Sequence, residues 1–122
     1  MLRYAILFAP VVFLSGGVAA QERFHQNLED ATRRVQSVLH DTVRIKGTRP
    51  VRDTAAAIAL AESVLFKTYG QKEILRQRPY DIFLVSGAWY ICGTIPKGMR
   101  GGTFECIVKA SDGAILQVTH SR

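Results

Sequence analysis

The final third of the chain alternates short apolar runs with Gly-rich or charged breaks, which is the two-residue period of β-strands. Tyr80 to Val85 reads as a first strand, with Pro79 fixing its start. Ala88-Trp89-Tyr90-Ile91-Cys92-Gly93-Thr94 reads as a second, and a Pro-Lys-Gly-Met-Arg-Gly-Gly turn at 96–102 separates it from a third, Thr103 to Lys109. Ser111-Asp112-Gly113 then opens a fourth, Ala114 to Thr119. Ahead of the strands the spacing becomes helical. Asn27 is a candidate N-cap for a weakly apolar helix carrying Leu28, Ala31, Val35, Val38, Leu39 and Thr42 on one face. Gly47-Thr48-Arg49-Pro50 reads as a linker. Asp53 or Thr54 caps a stronger helix to about Thr68, whose apolar face is Ala57, Ile58, Ala61, Val64, Leu65 and Tyr69, and Gly70 ends it. Residues 71–77 are a short turn of helix or a loop.

This order of elements predicts an α+β domain: a curved antiparallel sheet of about four strands with one or two helices packed on one face. Residues 21–50 are expected to be a helical or loosely ordered segment, either packed on the sheet edge or ordered only against a partner. Trp89 and Ile91 share one face of their strand with Gly93, Tyr90 and Cys92 share the other with Thr94, and Phe104, Cys106 and Val108 form a core-facing set. Trp89 is expected in the core.

The N-terminus changes the picture of where such a domain works. Arg3 precedes an apolar run from Tyr4 to Leu14, and Val18-Ala19-Ala20 offers small residues where a signal peptidase reads. Residues 1–20 are therefore expected to be a signal peptide cleaved before Gln21. The run falls short of the roughly 20 apolar residues of a membrane span, so no integral anchor is expected. A periplasmic or secreted location follows. Arg3 is the only charged side chain removed, so the formal net charge falls from +6 to +5. Export and the scattered placement of the cations argue against nucleic acid, and leave an acidic protein or an anionic envelope surface as the partner of a basic face.

Two cysteines in an exported chain raise the question of a disulfide. Cys92 and Cys106 flank one hairpin, but face parity argues against the bond, while a one-residue register shift or a bulge would permit it. Two cysteines at this spacing lack a second ligand pair for a metal, and no cofactor motif is present. Catalysis finds no constellation either. His25, His40 and His120 lie near the ends of the chain or on the weak helix, Asp81 opens a strand, and Glu105 alternates outward from Phe104 and Cys106.

Asp53-Thr54-Ala55-Ala56-Ala57-Ile58-Ala59-Leu60-Ala61-Glu62 with Tyr69-Gly70, then Arg78-Pro79-Tyr80, Trp89 with Gly93-Thr94-Ile95-Pro96, Gly101-Gly102, and Lys109 to Leu116 occur in an order and spacing that resembles the bacterial immunity proteins of the nuclear-transport-factor-2-like fold. The likeness covers about residues 51–120, so 51–122 is expected to be the domain of that fold. The resemblance implies a cone-shaped α+β fold and a non-enzymatic protein that neutralises a toxin by binding it. Steric occlusion would be the mechanism, and the toxin would be acidic at its contact surface. Arg76, Arg78 and Tyr80 supply the Arg and Tyr chemistry enriched in binding hot spots, and Lys97 and Arg100 on the long turn a second basic contact. Two other roles compete with this one: a binder of a small ligand between the Ala-rich helix and the sheet, or an envelope-associated structural module that forms a homodimer.

Overall fold

The computed structural model describes residues 22–122; the expected leader, residues 1–20, and the cleavage point before Gln21 lie outside the described residues. In chain order the elements are β1 (Arg23–Phe24), α1 (Leu28–Val38), α2 (Thr54–Tyr69), α3 (Gln71–Leu75), β2 (Asp81–Val85), β3 (Ala88–Cys92), β4 (Ile95–Pro96), β5 (Phe104–Lys109) and β6 (Ile115–His120). An antiparallel sheet has the order β2-β3-β5-β6, and β1 pairs with β4 in a separate two-stranded ribbon. The ribbon was not foreseen: Ile95 and Pro96 lead into the long turn by pairing with Phe24 and Arg23. A register shift between Ile107 and Val108 bends the β5–β6 ladder.

Local chemistry accounts for the helices. The Asn27 side chain accepts from the Asp30 N–H at 2.8 Å, which satisfies one of the four orphan donors at the start of α1. Asp53 does the same for α2 through the Ala56 N–H, also at 2.8 Å. At the other end of α2, Gly70 takes φ +94°, a conformation that favours glycine, and its N–H closes on the Phe66 carbonyl.

The sheet is covered on both faces. Ala57, Ala61 and Leu65 of α2, with Ile74 of α3, pack on Trp89, Ile91, Phe104, Cys106 and Val108. These are the strand residues the alternation placed together, and the stronger of the two expected helices, α2, covers that face with α3 beside it, while α1 does not share it. On the opposite face Ala31, Val35 and Val38 of α1 pack on Val85, Ala88, Tyr90, Cys92 and Ile107. Every residue of β3 is therefore buried. A central strand between two layers needs apolar side chains in both directions, and this one has them.

The register settles the cysteines. Ile91 stands opposite Cys106 and Cys92 opposite Glu105, so the two thiols lie on opposite faces of the sheet. The candidate Cys92–Cys106 disulfide is thus corrected: both cysteines are free and buried, and face parity is the reason. Burial pushes both thiols up to about 12.

Candidate interaction surface

Of the basic and aromatic residues singled out from the sequence, Arg76, Arg78, Tyr80 and Lys97 are held in internal pairs and Arg100 is not. Arg76 forms a fork with Glu73, Nε to Oε1 at 2.8 Å and Nη2 to Oε2 at 2.7 Å. That hydrogen bonding holds the Glu73 carboxyl below its ordinary range, against a smaller opposing effect of burial. Arg78 donates to Glu62 Oε2 at 2.6 Å, and the Tyr80 hydroxyl donates to the same oxygen. Burial, then Glu62, pushes the Tyr80 phenol up to about 12. The Arg78 guanidinium also lies 5.7 Å from the Tyr80 ring centre, so the pair clips the start of β2 to α2. Lys97 sits 3.7 Å from Glu22 and over the Phe24 ring. Arg100 is exposed and has no carboxylate partner among the described residues. Exposed pairs of this kind contribute little stability, but each cancels the field of the cation it holds.

Beside the β1–β4 ribbon lies a cleft of about 280 Å³ whose lining includes His25, Gln26, Tyr90, Cys92 and Glu105. Its polar groups are engaged with one another. Tyr90 donates its hydroxyl to Glu105, which also holds Arg34 at 3.2 Å. Asp81 accepts from the Gln26 N–H at 2.7 Å and lies 2.9 Å from His25 Nδ1. Burial pushes the Tyr90 phenol well up, so it stays a hydrogen-bond donor and not a base. His120 likewise is not a loose terminal residue: it lies on Tyr69 and within 3.0 Å of both Glu73 and the buried Gln77. Among the described residues no group of three or more His, Cys, Asp or Glu is placed to hold a metal ion.

The stretch read as a linker is a strap docked on the turn end of the sheet. Ile45 and Ile115 exchange backbone hydrogen bonds at 3.2 and 2.8 Å, and Arg44 N–H donates to the same Ile115 carbonyl at 2.8 Å. Arg49 N–H then reaches Asp112, and Val51 N–H reaches Ala110. Gly47 is needed for this approach, because a Cβ there would stand 2.0 Å from the Asp112 carbonyl oxygen. The strap ends under Trp89, whose indole N–H donates to the Val51 carbonyl at 2.9 Å. That contact fixes the tryptophan in the core as expected.

Fixing the strap orients its side chains. Arg44, Lys46, Arg49 and Arg52 are all exposed, and no carboxylate lies within salt-bridge distance of any of them among the described residues. Next to them an open groove of about 800 Å³ is lined by Leu39, Pro50, Val51, Leu84, Trp89 and Ala110, with Arg52 and Lys109 also on its wall. Leu84 is 55% exposed there, and Val43 and Ile45 of the strap are exposed too. Sequence reasoning missed this surface. Its signal was the cation at every second or third position from 44 to 52, in and around the stretch read as a linker.

Two helical layers on an antiparallel sheet joined by hairpins define an α+β domain of the nuclear-transport-factor-2-like class. Residues 56–122 match the model of the NTF2 fold immunity protein family, which is more than half of the chain, and the chain belongs to that family. The family is generally non-enzymatic and implies a cognate toxin as partner. Among curated proteins, the uncharacterized protein YhhH of Escherichia coli (strain K12) is 33% identical over 73 residues, covering 59% of this chain and 58% of that protein. The uncharacterized protein YbbC of the same strain is 29% identical over 91 residues, covering 74% of this chain and 73% of that one. The chain thus spans a little under three-fifths of the first relative's length and about three-quarters of the second's. No solved structure matches it. No helix among the described residues is long and apolar enough to cross a membrane.

Proposed function

We propose that this chain is an exported immunity protein that neutralises a toxin by binding it and covering the toxin's working surface, with no catalytic step of its own. Membership of the immunity family over residues 56–122 is the observation that carries the reading. The interior supports it physically. Ala57, Ala61 and Leu65 of α2 and Ile74 of α3 pack directly on the sheet, which supports a function carried by the outer surface. Carboxylates that could act as bases hold Arg, His, Tyr or backbone N–H groups instead. The leader-like pattern of residues 1–20 directs the protein out of the cytosol. A basic domain speeds its encounter with an acidic toxin through long-range attraction.

The test is expression of the full chain, with its own leader and a C-terminal tag, in its native host. Fractionation should place the tagged protein outside the cytosol, and affinity capture should bring down one stoichiometric protein. That protein, produced alone in a sensitive strain, should arrest growth, and co-production of this chain should restore it. Retention in the cytosol would remove the export claim, and toxicity that persists with the chain present would remove the immunity claim.

A further inference from the structure

We propose that the strap at residues 43–52 and the groove beside it form the face that seats the toxin, and that the toxin presents there an acidic surface with a projecting apolar segment. This rests on the toxin-binding reading above. Three observations single out this face. First, its cations are available: Arg44, Lys46, Arg49, Arg52 and Lys109 are exposed without ion-pair partners among the described residues, whereas Arg76, Arg78 and Lys97 are held by Glu73, Glu62 and Glu22. The carboxylates near the strap are fewer. Asp53 and Asp112 are engaged with the backbone N–H groups of Ala56 and Ala114, and Asp41 stands at the strap's start, so the face keeps a positive excess. Second, those cations are pre-positioned, because the backbone that carries them is hydrogen-bonded to β6 and to the β5–β6 turn. Little backbone ordering entropy remains to be lost on binding. Third, two of these cations, Arg52 and Lys109, stand on the wall of an apolar groove in which Leu84 is more than half exposed, so that charge borders an apolar centre.

The shape and charge select among occupants. A groove accepts a convex protein feature, while a lipid surface is met by apolar side chains that protrude. A second copy of this chain would bring like charges together across the contact, which is unfavourable.

The probe is the stoichiometric partner captured by the wild-type chain, purified and titrated by calorimetry and surface binding kinetics. R52E/K109E should weaken binding roughly 30- to 100-fold, chiefly in the association rate, and should flatten the salt dependence. L84D should cost about tenfold or more, chiefly in the dissociation rate. K67E, at the far end of α2, and R100E should bind within about twofold of wild type. Urea midpoints equal to wild type for each variant show that folding is intact, and a variant that fails this check is replaced by the milder R52Q/K109Q or L84A. Wild-type affinity for R52E/K109E and L84D, with loss in R100E, would overturn the proposal and leave the toxin-binding reading standing. Capture of no stoichiometric partner would overturn both. Charge-dependent binding to vesicles of phosphatidylglycerol and phosphatidylcholine, or self-association in sedimentation, in place of partner binding, would also overturn it by assigning the face to lipid or to a second copy.

Discussion

Replacing Gly47 by Ala is the most direct perturbation of the strap. The added Cβ would stand 2.0 Å from the Asp112 carbonyl oxygen and 2.4 Å from the Ala114 nitrogen, where ordinary contacts begin at 3.4 Å. Both obstacles are backbone, so neither can swing aside and the strap must lift by more than an ångström. The bonds flanking Gly47, Ile115 N–H to Ile45 and Arg49 N–H to Asp112, then break or stretch. Each contributes about 1 kcal/mol net, and partial exposure of Val51 and Ile115 adds roughly 1–2 kcal/mol. The sum is about 3 kcal/mol, against the 5–15 kcal/mol that a domain of this size typically has. The variant should still fold. With a urea slope of about 2 kcal/mol per molar, its midpoint should fall by roughly 1.5 M with the slope unchanged. Gly98→Ala is the control: its φ is +89° but nothing lies within 4 Å of the added carbon, so only the backbone conformation is penalised, by about 1 kcal/mol. A Gly47→Ala midpoint within about 0.2 M of wild type would refute the docked strap, and with it the pre-positioning of its cations.

Other consequences follow from single contacts. Gln77 is fully buried, accepts from the Phe104 N–H at 2.9 Å and lies within 3.1 Å of Glu73 and His120, so Gln77→Met should lose about 2–4 kcal/mol in urea denaturation; a loss under about 0.5 kcal/mol would show that the amide bonds contribute nothing net. Cys92 and Cys106 are buried thiols on opposite faces, so a thiol reagent should find neither in the native protein and two in urea without reductant; finding none in urea would mean a disulfide. Glu73 has its carboxyl depressed by Arg76, so its contribution is present above the ordinary value of 4.5 and is lost as pH falls through the lowered folded value. The melting temperature of Glu73→Gln should therefore fall less steeply than that of wild type below pH 4.5, and parallel curves would sink the assignment.

Much of the fold was legible because it depends on neighbours in sequence. The alternation from Tyr80 to Thr119 set strands, turns and the faces of Trp89, Ile91, Phe104, Cys106 and Val108, since the pleat has a period of two whatever lies around it. Asn27, and Asp53 or Thr54, announced the helix starts because capping is a three-residue interaction, and the structure gives the second cap to Asp53. The same parity argued against the disulfide before the register settled it.

What only the tertiary structure decided are the pairings made across long sequence separations. Nothing in residues 28–38 says which face of the sheet Ala31 and Val35 cover, because an apolar stripe fits either face of a sheet that is apolar on both. Arg78 looks like a free cation in the sequence, and it is packing that brings Glu62 of α2 to it. Gly47 to Pro50 look like a linker, and it is the bonds to Ile115, Asp112 and Ala110 that turn this stretch and its neighbours into a fixed surface. Periodicity reports the face a residue prefers, whereas the charge left unpaired on the finished surface depends on every partner the fold supplies.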